Sequence, residues 1–258
     1  MKSILFEIKE GVAKITFNNP DKYNAFYRDM ALLFQGYLKE CQDNENIKAV
    51  YITGTGKAFS AGQDLAEAID PNGPELTKIV SEHYNPIIKQ IRNLKKPVVA
   101  AVNGVAAGAG ANIALACDIV VATKSASFIQ AFSKIGLIPD SGGTYFLPRI
   151  IGFQKASALM MLGDKMSATE AEDLGMIYKV FEDEEFQTES FKIAAKLATM
   201  PTYGLWLTKK ALNETYQNNL DQQLNLEDEL QTLAGNSYDY NEGVNAFLEK
   251  RKPVFKGK

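Results

Sequence analysis

Hydrophobic and polar positions along the first part of the chain alternate with two different periods. Apolar residues alternate in Ile4–Lys9 and in residues 12–18, on either side of a glycine-containing turn, which predicts a β-hairpin. In residues 25–41 the apolar positions recur every three or four residues, as in an amphipathic helix. A short apolar run at residues 48–53 then predicts a strand. This alternation of strands and helices indicates an α/β fold.

Long helical periods dominate later parts of the chain. Residues 75–94 have a helical period, and Pro86 inside this segment predicts a kink or a break. Beyond residue 200 the pattern is helical only. We therefore expect an α/β core over residues 1–200 and a helical region over residues 201–258 that docks on the core or on a neighbouring subunit.

The most unusual stretch of the chain is residues 97–118. Val98–Val102 is wholly apolar, which predicts a strand buried on both faces. Residues 106–111 are all alanine or glycine, and the chain then has a helical pattern. Glycine allows backbone to approach other groups closely, and the first N–H groups of a helix lack internal partners. The stretch therefore either binds developing negative charge or makes a tight helix–strand contact. Its glycine spacing matches no phosphate-binding motif.

The amino-acid composition and the charge distribution argue against several classes of function. The chain has 258 residues, 46% hydrophobic and 23% charged, which is ordinary for a globular protein. Lysine and arginine number 28 against 31 acidic residues, and no basic stripe suggests nucleic acid as a partner. No apolar stretch reaches membrane-spanning length, and no signal peptide is recognisable. We expect a cytoplasmic protein that binds neither nucleic acid nor membrane.

Cysteine and histidine are scarce. Cys41 and Cys117 do not form a disulfide framework and are expected to be buried thiols. His83 is the single histidine, which excludes a multi-histidine metal site. We expect no metal site, and we expect His83 on a helix surface or in a satisfied polar contact.

Four motifs in order resemble the enoyl-CoA hydratase/isomerase (crotonase) superfamily. They are Phe-Ser-Ala-Gly-Gln-Asp-Leu at residues 59–65, residues 97–118, Gly-Leu-Ile-Pro-Asp-Ser-Gly-Gly-Thr at residues 136–144, and residues 242–251. The resemblance extends over residues 3–257. Within the superfamily, the motifs are similar to those of isomerases of aerobic phenylacetate breakdown.

The resemblance implies a crotonase-like ββα spiral core followed by a C-terminal helical trimerisation region. It implies a homotrimer, or a hexamer built as a dimer of trimers. The substrate would be an acyl-CoA thioester, with CoA as part of the substrate and no separate cofactor. The implied reaction converts ring-1,2-epoxyphenylacetyl-CoA to oxepin-CoA, or shifts a double bond in an enoyl-CoA.

The resemblance also implies how the thioester is held. The backbone N–H groups of Gln63 and Ala109 would form an oxyanion hole, which stabilises charge as it develops on the carbonyl oxygen. The residues expected to contact the CoA or acyl group are Tyr23, Ala25, Ala61, Gln63, Asp64, Leu65, Ala109, Asn112 and Phe132.

An isomerase also needs a group that transfers a proton, and the motifs offer one carboxylate for this role. Hydratases of the family use two glutamates, and the matching positions here hold Asn112 and Phe132. Asp140 lies where relatives that isomerise dienoyl-CoA place an aspartate. On the residues alone, Asp140 before Ser-Gly-Gly-Thr fits a helix N-cap as well as a general base. The missing glutamates favour a catalytic role.

Two other functions remain open at this stage. One is a Δ3,Δ2- or dienoyl-CoA isomerase of fatty-acid oxidation, which would use the same residues on a different acyl group. The other is a catalytically silent homologue that only binds CoA esters.

Overall fold

The computed structural model describes residues 2–258, which form ten strands and twelve α-helices. The strands are β1 (Ile4–Lys9), β2 (Val12–Phe17), β3 (Ala49–Gly54), β4 (Ala58–Ser60), β5 (Val98–Val102), β6 (Val105–Ala107), β7 (Ile119–Thr123), β8 (Ser127–Ile129), β9 (Lys165–Ser167) and β10 (Lys179–Phe181). The helices are α1 (Arg28–Asp43), α2 (Leu65–Ala68), α3 (Leu76–Lys78), α4 (Asn85–Asn93), α5 (Ala109–Leu115), α6 (Gly143–Ile151), α7 (Phe153–Leu162), α8 (Ala168–Asp173), α9 (Phe186–Ala198), α10 (Thr202–Glu214), α11 (Leu220–Gly235) and α12 (Tyr238–Leu248).

The strands form two sheets. The larger has the order β1-β2-β3-β5-β7-β10, and the smaller has the order β4-β6-β8-β9. The predicted hairpin is confirmed, because β1 and β2 pair antiparallel from Ile4 opposite Phe17 to Lys9 opposite Val12. The other neighbours in the larger sheet are parallel. The smaller sheet uses three-residue strands, which are too short to show the alternation that predicts a strand.

Two hydrophobic layers cover the larger sheet. Val50 and Ile52 of β3 belong to the main core, which also contains the buried face of α1. Ala49 and Tyr51 belong to a second core that includes Phe186 and Ala194 of α9. The alternation follows from the two-residue period of a strand. All five residues of β5 are buried, as predicted for a strand covered on both faces.

Helix α10 is attached to the rest of the fold by an ion pair whose lysine is buried. Lys209 of α10 is buried, and its Nζ lies 2.9 Å from Asp118 Oδ2 and donates to the Ile91 carbonyl at 2.7 Å. Arg92 also pairs with Asp118, at 3.2 Å. These contacts tie α10 to the end of α4 and to the segment before β7. No helix formed within residues 2–258 is long and apolar enough to span a bilayer.

The helix expected over residues 75–94 is interrupted, as Pro86 predicts. Ile79–Tyr84 forms a π-helical turn between α3 and α4. Pro86 has no N–H to donate to the Glu82 carbonyl, the usual acceptor four residues earlier. Gln35 Nε2 donates to that carbonyl instead, at 2.7 Å, and to the His83 carbonyl at 3.1 Å. The side chain of Gln35 therefore stabilises a wider turn that ends at Tyr84.

Candidate active site

Two backbone turns that follow neighbouring strands of the smaller sheet lie against each other. One follows β4, and the other contains Gly108, with φ +53°, between β6 and α5. A Cβ built on Gly62, which has φ +86°, would lie 2.9 Å from Ala107 O and 3.2 Å from Ala109 N. The two turns therefore touch backbone to backbone, which only a residue without a side chain permits.

The N–H groups of Gln63 and Ala109 are free in this arrangement. Phe26 brackets Gln63, because its N–H donates to Gly62 O at 2.6 Å and its carbonyl accepts from Asp64 N at 2.7 Å. Ala109 is the first residue of α5, so its N–H has no acceptor inside the helix. Within residues 2–258, neither N–H has a hydrogen-bond acceptor. The family resemblance implies that these two N–H groups act together, and Gly62, the residue before Gln63, packs against the Ala109 backbone.

The side chain of Gln63 is held at both ends. Its Nε2 donates to Glu67 Oε2 at 2.9 Å, and its Oε1 accepts from Tyr84 Oη at 2.9 Å. Glu67 also accepts from the N–H of Arg28, the first residue of α1, at 2.9 and 3.2 Å. The turn that carries the Gln63 N–H is therefore fixed to α1 and to the π-helical turn. Sequence reasoning missed Glu67, because nothing local connects it to α1.

Asp140 lies near this network. Burial raises the pKa of the Asp140 carboxyl, and the hydrogen bond from Ser141 Oγ to Oδ1, at 2.8 Å, opposes that rise. Burial likewise raises the pKa of Tyr84, with the charges of Asp140 and Glu67 as smaller contributors. Asp140 is linked to α5 by Asn112, whose Nδ2 donates to the Asp140 backbone carbonyl at 2.8 Å. A base whose pKa is raised toward the operating pH is better suited to proton transfer.

The N-cap interpretation of Asp140 is wrong. Helix α6 starts at Gly143, its N-cap is Gly142, and no side chain caps it. It is the backbone carbonyl of Asp140 that accepts from Gly143 N, at 2.8 Å. The side chain of Asp140 therefore does not cap α6 and remains available for another role.

Comparison with known proteins identifies the family. The family model for enoyl-CoA hydratase/isomerase matches residues 7–258. The chain belongs to this family. It is 47% identical to 1,2-epoxyphenylacetyl-CoA isomerase of Escherichia coli, covering 100% of both chains. It is 35% identical to trans-2-decenoyl-[acyl-carrier-protein] isomerase of Streptococcus mutans, over 100% of this chain and 99% of that one.

A solved structure confirms the fold. The enoyl-CoA hydratase of Bacillus anthracis superposes with a TM-score of 0.92 at 31% identity, over 100% of both chains. The crotonase fold expected from the motifs, including the C-terminal helices, is therefore confirmed for this family member.

The structure places the two residues that the family resemblance matches to hydratase glutamates, Asn112 and Phe132, in buried positions. Asn112 is fully buried, and both ends of its amide bond to protein groups, at Asp140 O and Gln130 Nε2. It therefore presents no surface to a ligand, contrary to the expectation that it contacts the substrate. Phe132 is also mostly buried, and its ring lies 3.7 Å from the Cβ position built on Gly108. Phe132 thus borders the turn that leads into Ala109 and α5.

The expected CoA-contacting segments are joined to each other. Ala61 N donates to Tyr23 O at 2.9 Å, and Lys22 Nζ pairs with Asp64 Oδ2 at 2.6 Å. Tyr23 and Leu65 are about half exposed, whereas Ala25 is buried. Asp64 also caps α2 by accepting from Ala66 N at 3.0 Å. Residues distant in sequence thus form one continuous surface beside the Gln63 N–H.

The remaining titratable groups singled out by the sequence are buried. His83 is fully buried, its Nε2 lies 3.3 Å from Arg28 Nη1, and its Nδ1 has no partner within residues 2–258. The expectation of a surface or satisfied histidine is therefore wrong, and burial lowers the pKa of this imidazole. Cys41 and Cys117 are buried as expected, and burial raises the pKa of each thiol to about 12. Both are poor nucleophiles at neutral pH.

Proposed function

We propose that this protein is an acyl-CoA isomerase that works through a thioester enolate with Asp140 as acid and base. The observation that carries the proposal is the partly buried Asp140 carboxyl, whose pKa burial raises, on a turn that Asn112 links to α5, the helix that begins at Ala109. The positions of the hydratase glutamates hold Asn112 and Phe132. A site with one such carboxylate favours moving a proton within the substrate over adding water.

The first step is binding of the thioester carbonyl between the N–H groups of Gln63 and Ala109. These donors strengthen their hydrogen bonds as negative charge develops on the oxygen, so they stabilise the enolate more than the ground state. The turns that carry them are fixed before the substrate arrives. No side chain is needed for this role.

The second step is proton transfer by Asp140. The ionised carboxylate takes a proton from C2 of a 3-enoyl-CoA, and the C–H electrons form the enolate that is conjugated with the double bond. The neutral carboxyl then returns the proton to C4, which leaves the 2-enoyl-CoA and regenerates the carboxylate. Atoms and charge balance without water, metal or a separate cofactor.

The acyl group we propose is a ring-epoxidised phenylacetyl group, which rearranges to the oxepin. Support comes from the full-length similarity to the Escherichia coli 1,2-epoxyphenylacetyl-CoA isomerase. Phe132 at the Gly108 turn gives the acyl region an aromatic wall. The same oxyanion hole would hold the thioester carbonyl of this substrate, and conversion of the epoxide to the oxepin is an isomerisation in which no atom is gained or lost.

Double-bond isomerisation of unbranched acyl chains is the second candidate. The similarity to the trans-2-decenoyl-[acyl-carrier-protein] isomerase of Streptococcus mutans favours it. A Δ3,Δ2- or dienoyl-CoA isomerase of fatty-acid oxidation would use the same residues. A catalytically silent CoA-ester-binding protein is disfavoured, because such a protein has no need of a half-buried carboxylate beside the hole.

We also propose that the protein assembles as a homotrimer, or as a hexamer of two trimers. The C-terminal helices carry large apolar side chains on their surface, with Leu220 72%, Phe247 83% and Leu248 71% exposed. Exposed large apolar side chains of this kind favour burial against another protein chain. Light scattering should give three or six times the mass of one chain.

A continuous absorbance assay tests the proposed function. Purified protein is given a short 3-enoyl-CoA, and formation of the conjugated 2-enoyl thioester is followed for wild type, Asp140→Asn and Asp173→Asn, an exposed aspartate on α8. Wild type and Asp173→Asn should isomerise, and Asp140→Asn should bind the ester without turnover. Ring-1,2-epoxyphenylacetyl-CoA is assayed in parallel, and hydration of a 2-enoyl-CoA is the control for water addition.

Each outcome has a defined meaning. Turnover by Asp140→Asn at the wild-type rate would disprove the role of that carboxylate. Efficient hydration by wild type would favour a hydratase. Binding of both esters without turnover of either would favour the silent homologue.

A further inference from the structure

The amide of Asn112 forms a buried link behind Asp140. Its Nδ2 donates to the backbone carbonyl of Asp140 at 2.8 Å, and its Oδ1 accepts from Gln130 Nε2 at 2.8 Å. Asn112 is fully buried and Gln130 is 5% exposed. The hydrogen bond from Gln130 thus fixes the orientation of the Asn112 amide. In this orientation Nδ2 of Asn112 is directed at the Asp140 carbonyl.

The bond from Asn112 acts on the turn that carries the carboxylate. The Asp140 carbonyl accepts a second hydrogen bond from Gly143 N, also at 2.8 Å, which closes the turn before α6. Within this turn Ser141 has φ +51°, a left-handed conformation that residues with a side chain rarely adopt. Such a conformation persists only where neighbouring contacts enforce it. The Oγ of Ser141 donates to Asp140 Oδ1, so the position of Ser141 affects the carboxylate directly.

Packing leaves the Asn112 amide little freedom. A Cβ built on Gly143 would lie 2.4 Å from Asn112 Nδ2. Residue 143 therefore has to be glycine for the amide to reach the Asp140 carbonyl. The two residues hold each other in place at the start of α6.

Asparagine is the residue type that this link requires. Its side chain donates through one atom and accepts through another, whereas an ionised carboxylate only accepts. A carboxylate at position 112 would face the Asp140 carbonyl with no hydrogen between the two oxygens. Such a contact is repulsive and would push the turn away.

We propose that Asn112, oriented by Gln130, is a positioning residue that holds the Asp140 carboxylate in register with the oxyanion hole. Asn112 lies one helical turn after Ala109 in α5, so the same short helix carries one donor of the hole and the anchor of the base. The relative placement of hole and base is thereby fixed through one rigid element. This inference rests on the proposed function, in which Asp140 transfers the proton.

Three variants test the inference in the full-length protein. Asn112→Leu removes both hydrogen bonds while keeping similar volume, and Gln130→Leu removes only the bond that orients the amide. Gln90→Leu is the matched control, since it removes a partly buried amide whose Oε1 has no partner within residues 2–258. Turnover of the 3-enoyl-CoA, binding of butyryl-CoA as an unreactive ester, and melting temperature are measured for each.

A positioning role predicts a split between kcat and binding. Misplacement of a catalytic group by about 1 Å costs on the order of 10²-fold in rate, so kcat of Asn112→Leu should fall by about that factor. Gln130→Leu should show a smaller fall. The Kd of butyryl-CoA should stay near the wild-type value, because the hole does not use Asn112. The primary deuterium isotope effect on kcat should increase, since proton transfer becomes slower than other steps.

Several outcomes would overturn the inference. Wild-type kcat in both Asn112→Leu and Gln130→Leu would show that the link is not needed. Equal losses of kcat, butyryl-CoA binding and melting temperature would show a merely structural role. If Asn112→Leu does not fold, Gln130→Leu decides by the same criteria.

A readout without turnover separates this inference from the proposed function. The pKa of the Asp140 carboxyl is measured by ¹³C NMR, and its signal is assigned by its loss in Asp140→Asn. This pKa should be higher in Asn112→Leu, because the Ser141 hydrogen bond loosens. An unchanged titration contradicts the inference even if wild type is active. A shifted titration in a protein that isomerises neither ester would support the link and reject the proposed reaction.

Discussion

The contact of Gly62 with the α5 turn allows a direct test of the oxyanion hole. In Gly62→Ala, the new Cβ would lie 2.9 Å from Ala107 O and 3.2 Å from Ala109 N, whereas ordinary contact begins at 3.4 Å. Both atoms belong to backbone, so the two turns have to separate. Catalytic groups must be held to within about 0.5 Å of their productive positions. We therefore expect the variant to lose at least one of the two donors.

The expected size of the effect follows from the loss of one donor. Removal of one oxyanion-hole hydrogen bond lowers kcat by about 10²–10³-fold, equivalent to about 2.7–4 kcal/mol. The substitution also places alanine at φ +86°, and left-handed backbone costs a residue with a side chain about 1–2 kcal/mol. The activity loss should therefore be accompanied by a loss of stability.

Gly175→Ala separates the two effects. Gly175 has φ +70°, close to that of Gly62, but a Cβ there meets nothing within 4 Å. Both variants bear the backbone strain, and only Gly62→Ala pushes the turns apart. Isomerisation of the 3-enoyl-CoA and urea unfolding are measured for both. If Gly62→Ala retains a kcat within about threefold of Gly175→Ala, the backbone contact does not form the hole and the reasoning is refuted.

Two further predictions concern the base and the attachment of the C-terminal helices. Only ionised Asp140 accepts a proton and burial raises its pKa, so kcat/KM should decline as pH falls through a value above that of an exposed aspartate. Ser141→Ala should move this acid limb to higher pH, because the lost hydrogen bond favours the ionised form; an unmoved limb assigns it to another group. Lys209→Met removes a charge-assisted hydrogen bond to Asp118 and should lower the free energy of unfolding by about 1.5–3 kcal/mol in urea titrations. Lys210→Met removes a lysine that makes no ion pair within residues 2–258 and should change little, so equal losses in both variants would contradict this account.

The local pattern of apolar and polar residues determined a large part of the secondary structure. The hairpin, the buried strand β5 and the α1 helix follow from periods of two and of three to four residues, which depend only on neighbours in the chain. The alanine and glycine run at residues 106–111 indicated a backbone that other groups approach closely, because small side chains are a property of the residues themselves. Pro86 marked the interruption of its helix, since a missing N–H is a property of one residue.

Only the tertiary structure decided which distant groups meet. Gln63 and Ala109 lie on separate turns, and their proximity depends on the packing of Gly62 against Ala107 and Ala109. The attachment of Gln63 to Glu67 and Tyr84 also joins separate elements. No period in the chain encodes such contacts, because they arise from how sheets and helices pack.

The clearest difference between sequence and structure is at Asn112. Matching its motif predicted a substrate contact, whereas the fold buries the amide and directs it at the Asp140 carbonyl. The sequence alone shows that residue 112 is an asparagine, whose side chain can donate one hydrogen bond and accept another. Its partners, Gln130 and Asp140, come from different parts of the chain, so only packing could assign them.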